Sequence, residues 1–183
     1  MLTREFDPLR LEVQVFARES GRLEGQWPLA LLDRAAESAL LAAAIGGLGD
    51  VTWSARGEAR PQAGAEAQTW LHVKAGAQLP LECQRCLQPV TVRLAVDRSF
   101  LFVRGEEQAA QADTDSEDDV LVMTRALDLR ALIEDELLLA LPIVPRHELC
   151  PVPLKAESAE SIEDEKPNPF AALAALRRGT PLN

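Results

Sequence analysis

At 183 residues, 47% hydrophobic and 26% charged, the chain can hold one ordinary domain with tails and a core that needs no disulfide staples. Its formal net charge of −10 weighs against nucleic-acid binding by broad phosphate neutralisation. The opening Met1-Leu-Thr-Arg-Glu-Phe-Asp-Pro has no apolar targeting segment, and no stretch approaches the ~18 apolar residues of a membrane span, so a soluble cytoplasmic protein is expected. In such a compartment three cysteines stay reduced and serve metals or chemistry.

From the N-terminus, Asp7-Pro8 with Leu9, Leu11, Val13 and Phe16 before Gly21 has the punctuation of a helix: a capping Asp, Pro at the first helical position, Gly past the end. The alternation Leu9, Leu11, Val13, Val15 fits a strand equally well. Residues 22–28 read as extended. Residues 29–45 read as an amphipathic helix with Asp33, Arg34 and Glu37 off its apolar face, ended by Gly46-Gly47. Val51, Trp53 and Ala55 then alternate with Thr52, Ser54 and Arg56 as a strand. Two long arms follow. In the first, Leu71, Val73, Ala75, Ala77, Leu79 and Leu81 hold one register, and Trp70, His72, Lys74, Gln78 and Glu82 the other. In the second, Val90, Val92, Leu94 and Val96 alternate with Thr91, Arg93 and Asp97 and lead on to Phe100 and Phe102.

Acidic and basic side chains balance over residues 1–104, so the whole net charge lies beyond them. Residues 106–119 hold acids and no base, and read as a mobile acidic loop over 105–119 that folding does not need. After a short strand over 120–123, Asp128 caps a helix through Leu129, Leu132, Ile133, Leu137 and Ala140 that Pro142 stops. An acidic linker, 155–168, leads to a short helix over 169–178 that is too short to stand alone and must dock. Residues 1–154 are thus expected to form a single α+β domain: an antiparallel sheet with a cysteine-knuckle hairpin, flanking helices and a short docked C-terminal helix.

The hairpin tip is Cys83-Gln-Arg-Cys86, and the exit of the capped helix delivers His147-Glu-Leu-Cys150. Together these use every cysteine and one of two histidines. Two close pairs of thiolate and imidazole donors suit one tetrahedral zinc ion, so Cys83, Cys86, His147 and Cys150 are the expected ligands of a structural Zn2+. A reactive dithiol would sit at a helix N-terminus, whereas the pattern on both sides here is strand. Leu87 follows the second cysteine, where such knuckles often carry glycine.

Signatures of catalysis are absent: no G-x-S-x-G, no phosphate-cradling glycine loop and no His-Glu-x-x-His. Glu134-Asp135-Glu136 is the one carboxylate cluster on an expected helix. Glu136 falls on the Leu129/Ile133/Leu137 flank, where a hairpin arginine is its expected partner. His72 lies in the polar register as a surface residue. The candidate basic surface is the hairpin itself, with Lys74, Arg85, Arg93, Arg98 and Arg104, sparse for a nucleic-acid site.

Leu81-Glu-Cys-Gln-Arg-Cys-Leu, Leu132-Ile-Glu-Asp-Glu-Leu-Leu-Leu-Ala-Leu-Pro-Ile-Val-Pro, the His147/Cys150 stretch and Lys166-Pro-Asn-Pro-Phe-Ala-Ala-Leu-Ala-Ala-Leu-Arg follow one another along the chain. In that order they closely resemble the bacterial YceD family of large ribosomal RNA subunit accumulation proteins. The resemblance implies a cytoplasmic, non-enzymatic factor in synthesis, processing or stability of 23S rRNA. Combined with the acidic charge, it makes a basic ribosomal protein or large-subunit assembly factor the expected partner, with rRNA engaged indirectly and no membrane. Direct RNA binding through the hairpin arginines is the alternative, and a cytosolic metal or redox enzyme a third class.

Overall fold

Apolar alternation in the two arms produces a pair of fifteen-residue strands, β3 (Gln68–Glu82) and β4 (Pro89–Val103). They pair antiparallel without a break from Thr69↔Phe102 to Glu82↔Pro89. In the computed structural model, which describes residues 5–43, 49–116 and 118–151, this hairpin is the spine of a five-stranded sheet of order β1-β2-β3-β4-β5. On one side lie β2 (Asp50–Arg60) and β1 (Arg22–Pro28), each antiparallel to its neighbour. On the other, β5 (Asp119–Val122) runs parallel to the last four residues of β4. The architecture is the expected α+β class, with this one parallel pairing added.

A parallel neighbour requires a crossover rather than a tight turn. The stretch expected as an acidic loop supplies it: helix α3 (Glu106–Asp115) corrects that expectation. Charge was the wrong guide, because Gln108, Ala109, Ala110, Gln111 and Ala112 are good helix formers and Glu106 and Glu107 sit in the first turn, where the helix dipole favours acids. Asp113 in its last turn opposes the dipole, and the helix stops at residue 115.

Residues of the odd register, among them Leu71, Val73, Leu79, Leu81, Val51 and Trp53, face the core with Phe16, Leu29, Leu32, Ile133 and Leu137. Helix α1 (Val13–Arg18) lies against β2 so closely that a Cβ on Gly57 would fall 2.7 Å from the Phe16 carbonyl oxygen. The expected N-terminal helix therefore exists but begins later than Pro8. Residues 8–10 turn instead, and Leu11 pairs by two backbone hydrogen bonds with Leu127. The expected helix over 29–45 is a 3₁₀ turn (Leu29–Leu31) followed by α2 (Asp33–Ala43); its expected end at Gly46-Gly47, like the linker 155–168 and the helix 169–178, lies outside the described residues. Residues Met1–Cys150 make one compact unit.

Helix α4 (Leu129–Leu139) begins as expected: the Asp128 carboxylate accepts from the amides of Arg130 (2.9 Å) and Ala131 (3.0 Å). Its own buried acids then serve its neighbours. Leu32, which precedes α2, has no side-chain acceptor, and Glu134 reaches across to do that work. Its carboxylate accepts from the Arg34 amide at 2.7 Å, the Ala35 amide at 3.1 Å and the Arg34 guanidinium at 3.1 Å. One buried acid thus caps a helix a hundred residues away in sequence. Glu136, 8% exposed, pairs with Arg98 of β4 at 3.4 Å, the hairpin-arginine partner the sequence called for. Burial pushes its carboxyl above the ordinary carboxylate value, Arg98 pulls it back, and Asp119 adds to the rise.

Replacing Glu134 by Ala should lower stability by about 2 kcal/mol in denaturant unfolding, with Glu134→Gln recovering part of the loss, because one carboxylate satisfies two α2 amides. Arg98→Ala should cost about 1–2 kcal/mol at neutral pH, less than a fully enclosed pair because the arginine is half exposed. That cost should shrink as pH falls through the raised Glu136 pKa, since the protonated acid no longer needs a cation. Urea midpoints for wild type and variant across an acid series check the sign.

Candidate metal centre

Beyond Gly76 the β3–β4 ribbon runs on past β2, whose pairing with β3 ends at Thr52↔Gly76. The cysteine turn sits at its tip. The turn closes through the Cys83 amide to the Gln88 carbonyl (2.9 Å) and the Leu87 amide to the Cys83 carbonyl (2.8 Å). Leu87 adopts φ 59°, the left-handed region in which glycine carries no penalty and a side chain costs about 1 kcal/mol. The glycine expectation for this position was thus sound about the backbone, and the chain meets it with leucine.

After α4, Pro142 prevents the helix from continuing and residues 141–150 return across the tip as a strap. Gln84 donates its amide to the Pro145 carbonyl at 2.9 Å. The guanidinium of Arg85 donates to the Cys150 sulfur (3.0 Å) and to the carbonyls of His147 (3.1 Å) and Glu148 (3.2 Å). Arg85 has a structural role that sequence reasoning missed. It was placed with the basic surface, yet it fastens strap to knuckle, and no periodic signal marks that role.

The strap brings all four expected donors together. Sulfurs of Cys83, Cys86 and Cys150 and a ring nitrogen of His147 lie within 4.8 Å of one another. The Cys86 sulfur and His147 Nδ1 are 3.5 Å apart; tetrahedral bonds of about 2.3 Å to sulfur and 2.0–2.1 Å to nitrogen place such a pair about 3.6 Å apart. The opposite ring nitrogen, Nε2, lies 3.0 Å from the Pro89 carbonyl oxygen. A carbonyl only accepts, so Nε2 carries a proton, and in the neutral imidazole this leaves the Nδ1 lone pair toward the sulfurs, the usual orientation of a ligand imidazole.

The Cys83 side chain is buried, and burial raises its thiol. Backbone amides of His147, Arg85 and Cys86 aimed at the sulfur outweigh that and bring it down from 9.0 to about 5. These amides favour the thiolate form of Cys83. The Cys86 thiol is pushed up, by burial first and by the neighbouring sulfurs of Cys150 and Cys83, with the Gln88 amide opposing. The donor set, three sulfurs and one imidazole, could hold a metal ion of borderline softness.

His72 is not part of this cluster. It occupies the expected polar register on the opposite face, half-buried, between Ser99 Oγ (2.8 Å) and Glu58 (2.9 Å). Hydrogen bonds from Arg60 and then from His72 hold the Glu58 carboxyl below its ordinary value.

A family model described as large ribosomal RNA subunit accumulation protein YceD matches residues 71–177, a span that opens inside β3 and includes both halves of the cysteine–histidine cluster. The Large ribosomal RNA subunit accumulation protein YceD of Haemophilus influenzae (strain ATCC 51907 / DSM 11121 / KW20 / Rd) is 36% identical over 110 residues, 57% of this chain and 63% of the relative. The match therefore spans less than two thirds of that relative's length. No solved structure matches the chain. With more than half of its length matched by the family model, the chain belongs to the YceD family of large ribosomal RNA subunit accumulation proteins.

Proposed function

We propose that this protein is a cytoplasmic, non-enzymatic factor that supports accumulation of 23S rRNA, working as an acidic adaptor for a basic ribosomal protein or large-subunit assembly factor. The family and the name of its Haemophilus relative support the rRNA role. The observation that carries the adaptor reading is how the hairpin cations are spent. Lys74 pairs with Asp97 at 2.8 Å, Arg98 with Glu136 at 3.4 Å and Arg104 with Glu66 at 3.2 Å, while Arg85 is held by the strap. A surface whose cations already have partners offers little to phosphates. Meanwhile Glu106, Glu107 and Asp113 of α3 are exposed, and no base of the described residues pairs with them. Arg93, the one hairpin cation that is exposed and without a partner among the described residues, favours direct RNA contact.

The same reading assigns Cys83, Cys86, His147 and Cys150 to a structural Zn2+. Four protein donors leave no open position for an activated water, as expected of a site that holds structure together. Three thiolates and a neutral imidazole around a divalent ion leave one negative charge, and Arg85 is placed to neutralise it. When bound, the ion would clamp the strap to the knuckle.

Elemental analysis of protein purified without chelator should find about one zinc per chain. Cys83→Ser should abolish it and lower Tm by about 5 °C or more; metal-free protein with every thiol freely titratable rules out the site. Cells lacking the protein should show a depressed ratio of 23S to 16S rRNA, and a normal ratio rules out the biological role. Neutralising Glu106, Glu107 and Asp113 together should weaken capture of the basic partner about tenfold at low salt and less at high salt, because exposed charges act through screened attraction. Should Arg93→Glu cause the larger loss, with tight binding of wild type to naked rRNA at physiological salt, RNA is the direct ligand.

A further inference from the structure

The sheet carries an incomplete lane. Strand β5 pairs only with residues 100–103 of β4, and among the described residues the backbone of 90–99 makes hydrogen bonds to β3 alone. Which groups are left can be read from two anchors. The Gln88 carbonyl faces β3, since it accepts from Cys83, and the Val103 carbonyl faces β5, since it accepts from Met123. The N–H and C=O of one residue point to one side of a strand and alternate along it. The register is unbroken between the anchors, so Thr91, Arg93, Ala95, Asp97 and Ser99 all direct their N–H and C=O groups into the lane that β5 fills further along.

A groove of ≈390 Å³ runs beside this edge, between residues 95–98 and Glu136 and Leu139 of α4 with its C-cap Ala140. Leu139 is 75% exposed and Ile143, near the start of the strap, 99% exposed. The β5 end of the lane is acidic, with Asp118 and Asp119 exposed and α3 packed on β5. An inward-facing charge commonly blunts a free edge. Here that charge, Arg98, is drawn aside by Glu136 at 3.4 Å and Asp119 at 4.0 Å.

We propose that the free edge of β4, residues 90–99, accepts an extended basic segment of a partner protein as an added strand, with alternate apolar side chains over Leu139 and basic ones toward the acids of β5 and α3. Main-chain hydrogen bonds would supply affinity and the flanking side chains selectivity, as in strand addition generally. The basic character of the segment rests on the adaptor reading above; the edge itself rests on register alone.

The full chain can be tested with a short synthetic peptide of alternating valine and lysine, following amide hydrogen exchange residue by residue. The amides of Thr91, Arg93, Ala95, Asp97 and Ser99 should slow about tenfold or more on peptide addition, while those of Val92, Leu94 and Val96, already bonded to β3, should not change. Ala95→Pro removes one lane-facing N–H without touching the β3 ladder, so it should weaken peptide binding about tenfold with Tm little changed. The exchange pattern of the unmodified protein decides the matter should the proline variant fold poorly. Unchanged exchange of the five lane-facing amides at the highest peptide concentration overturns the docking edge. Equal protection by a valine–glutamate peptide keeps the edge and overturns the basic-partner reading.

Discussion

Everything distinctive in this protein depends on the uninterrupted register between β3 and β4. Each strand is fifteen residues long, while their neighbours pair with only part of that length. The surplus of β3 over β2 becomes a two-stranded arm that carries the cysteine turn away from the body of the sheet. Among the described residues the surplus of β4 over β5 is an open edge. A one-residue slip would turn Leu79 and Leu81, now buried with Cys83, toward solvent. The hydrophobic alternation that fixes the register therefore also fixes where the sulfurs stand.

A two-stranded ribbon is marginal by itself, and α4, with α2, packs against it. Its apolar stripe, Leu129, Ile133 and Leu137, is fully buried, and its two buried acids reach in different directions. Glu134 closes the start of α2, and Glu136 holds Arg98 on β4. Either acid without its partner would be a buried charge left uncompensated. Because the strap leaves directly from this helix, the position of α4 sets where His147 and Cys150 arrive, and Arg85 completes the fastening.

Much of this was legible in the sequence where one physical signal dominated. Period-two alternation marked β3 and β4, Asp128 and Pro142 bracketed α4, and the paired donor spacing picked out the four residues whose side chains converge. The misreadings came where two signals competed. In residues 105–119 charge outweighed the helix-forming alanines and glutamines, and a crossover helix was taken for a loop. Near the N-terminus helix punctuation at Pro8 stood several residues before the helix itself, because the chain first pairs with Leu127. Long-range contacts carried no local signal at all: nothing near Arg34 announces that Glu134 caps its helix, and nothing near Arg85 announces the strap.

The cluster is where fold and function meet, since a bound ion would join the hairpin tip to the only described segment that leads onward from the unit. On the adaptor proposal, such a joint would hold an apolar and acidic margin of this negatively charged protein in place for a basic partner. X-ray absorption at the zinc edge on protein purified without chelator tests this most directly. A first shell of three sulfurs at about 2.3 Å and one nitrogen at about 2.0 Å is the expected result. A shell dominated by oxygen, or protein that carries no zinc while remaining fully folded, would contradict it.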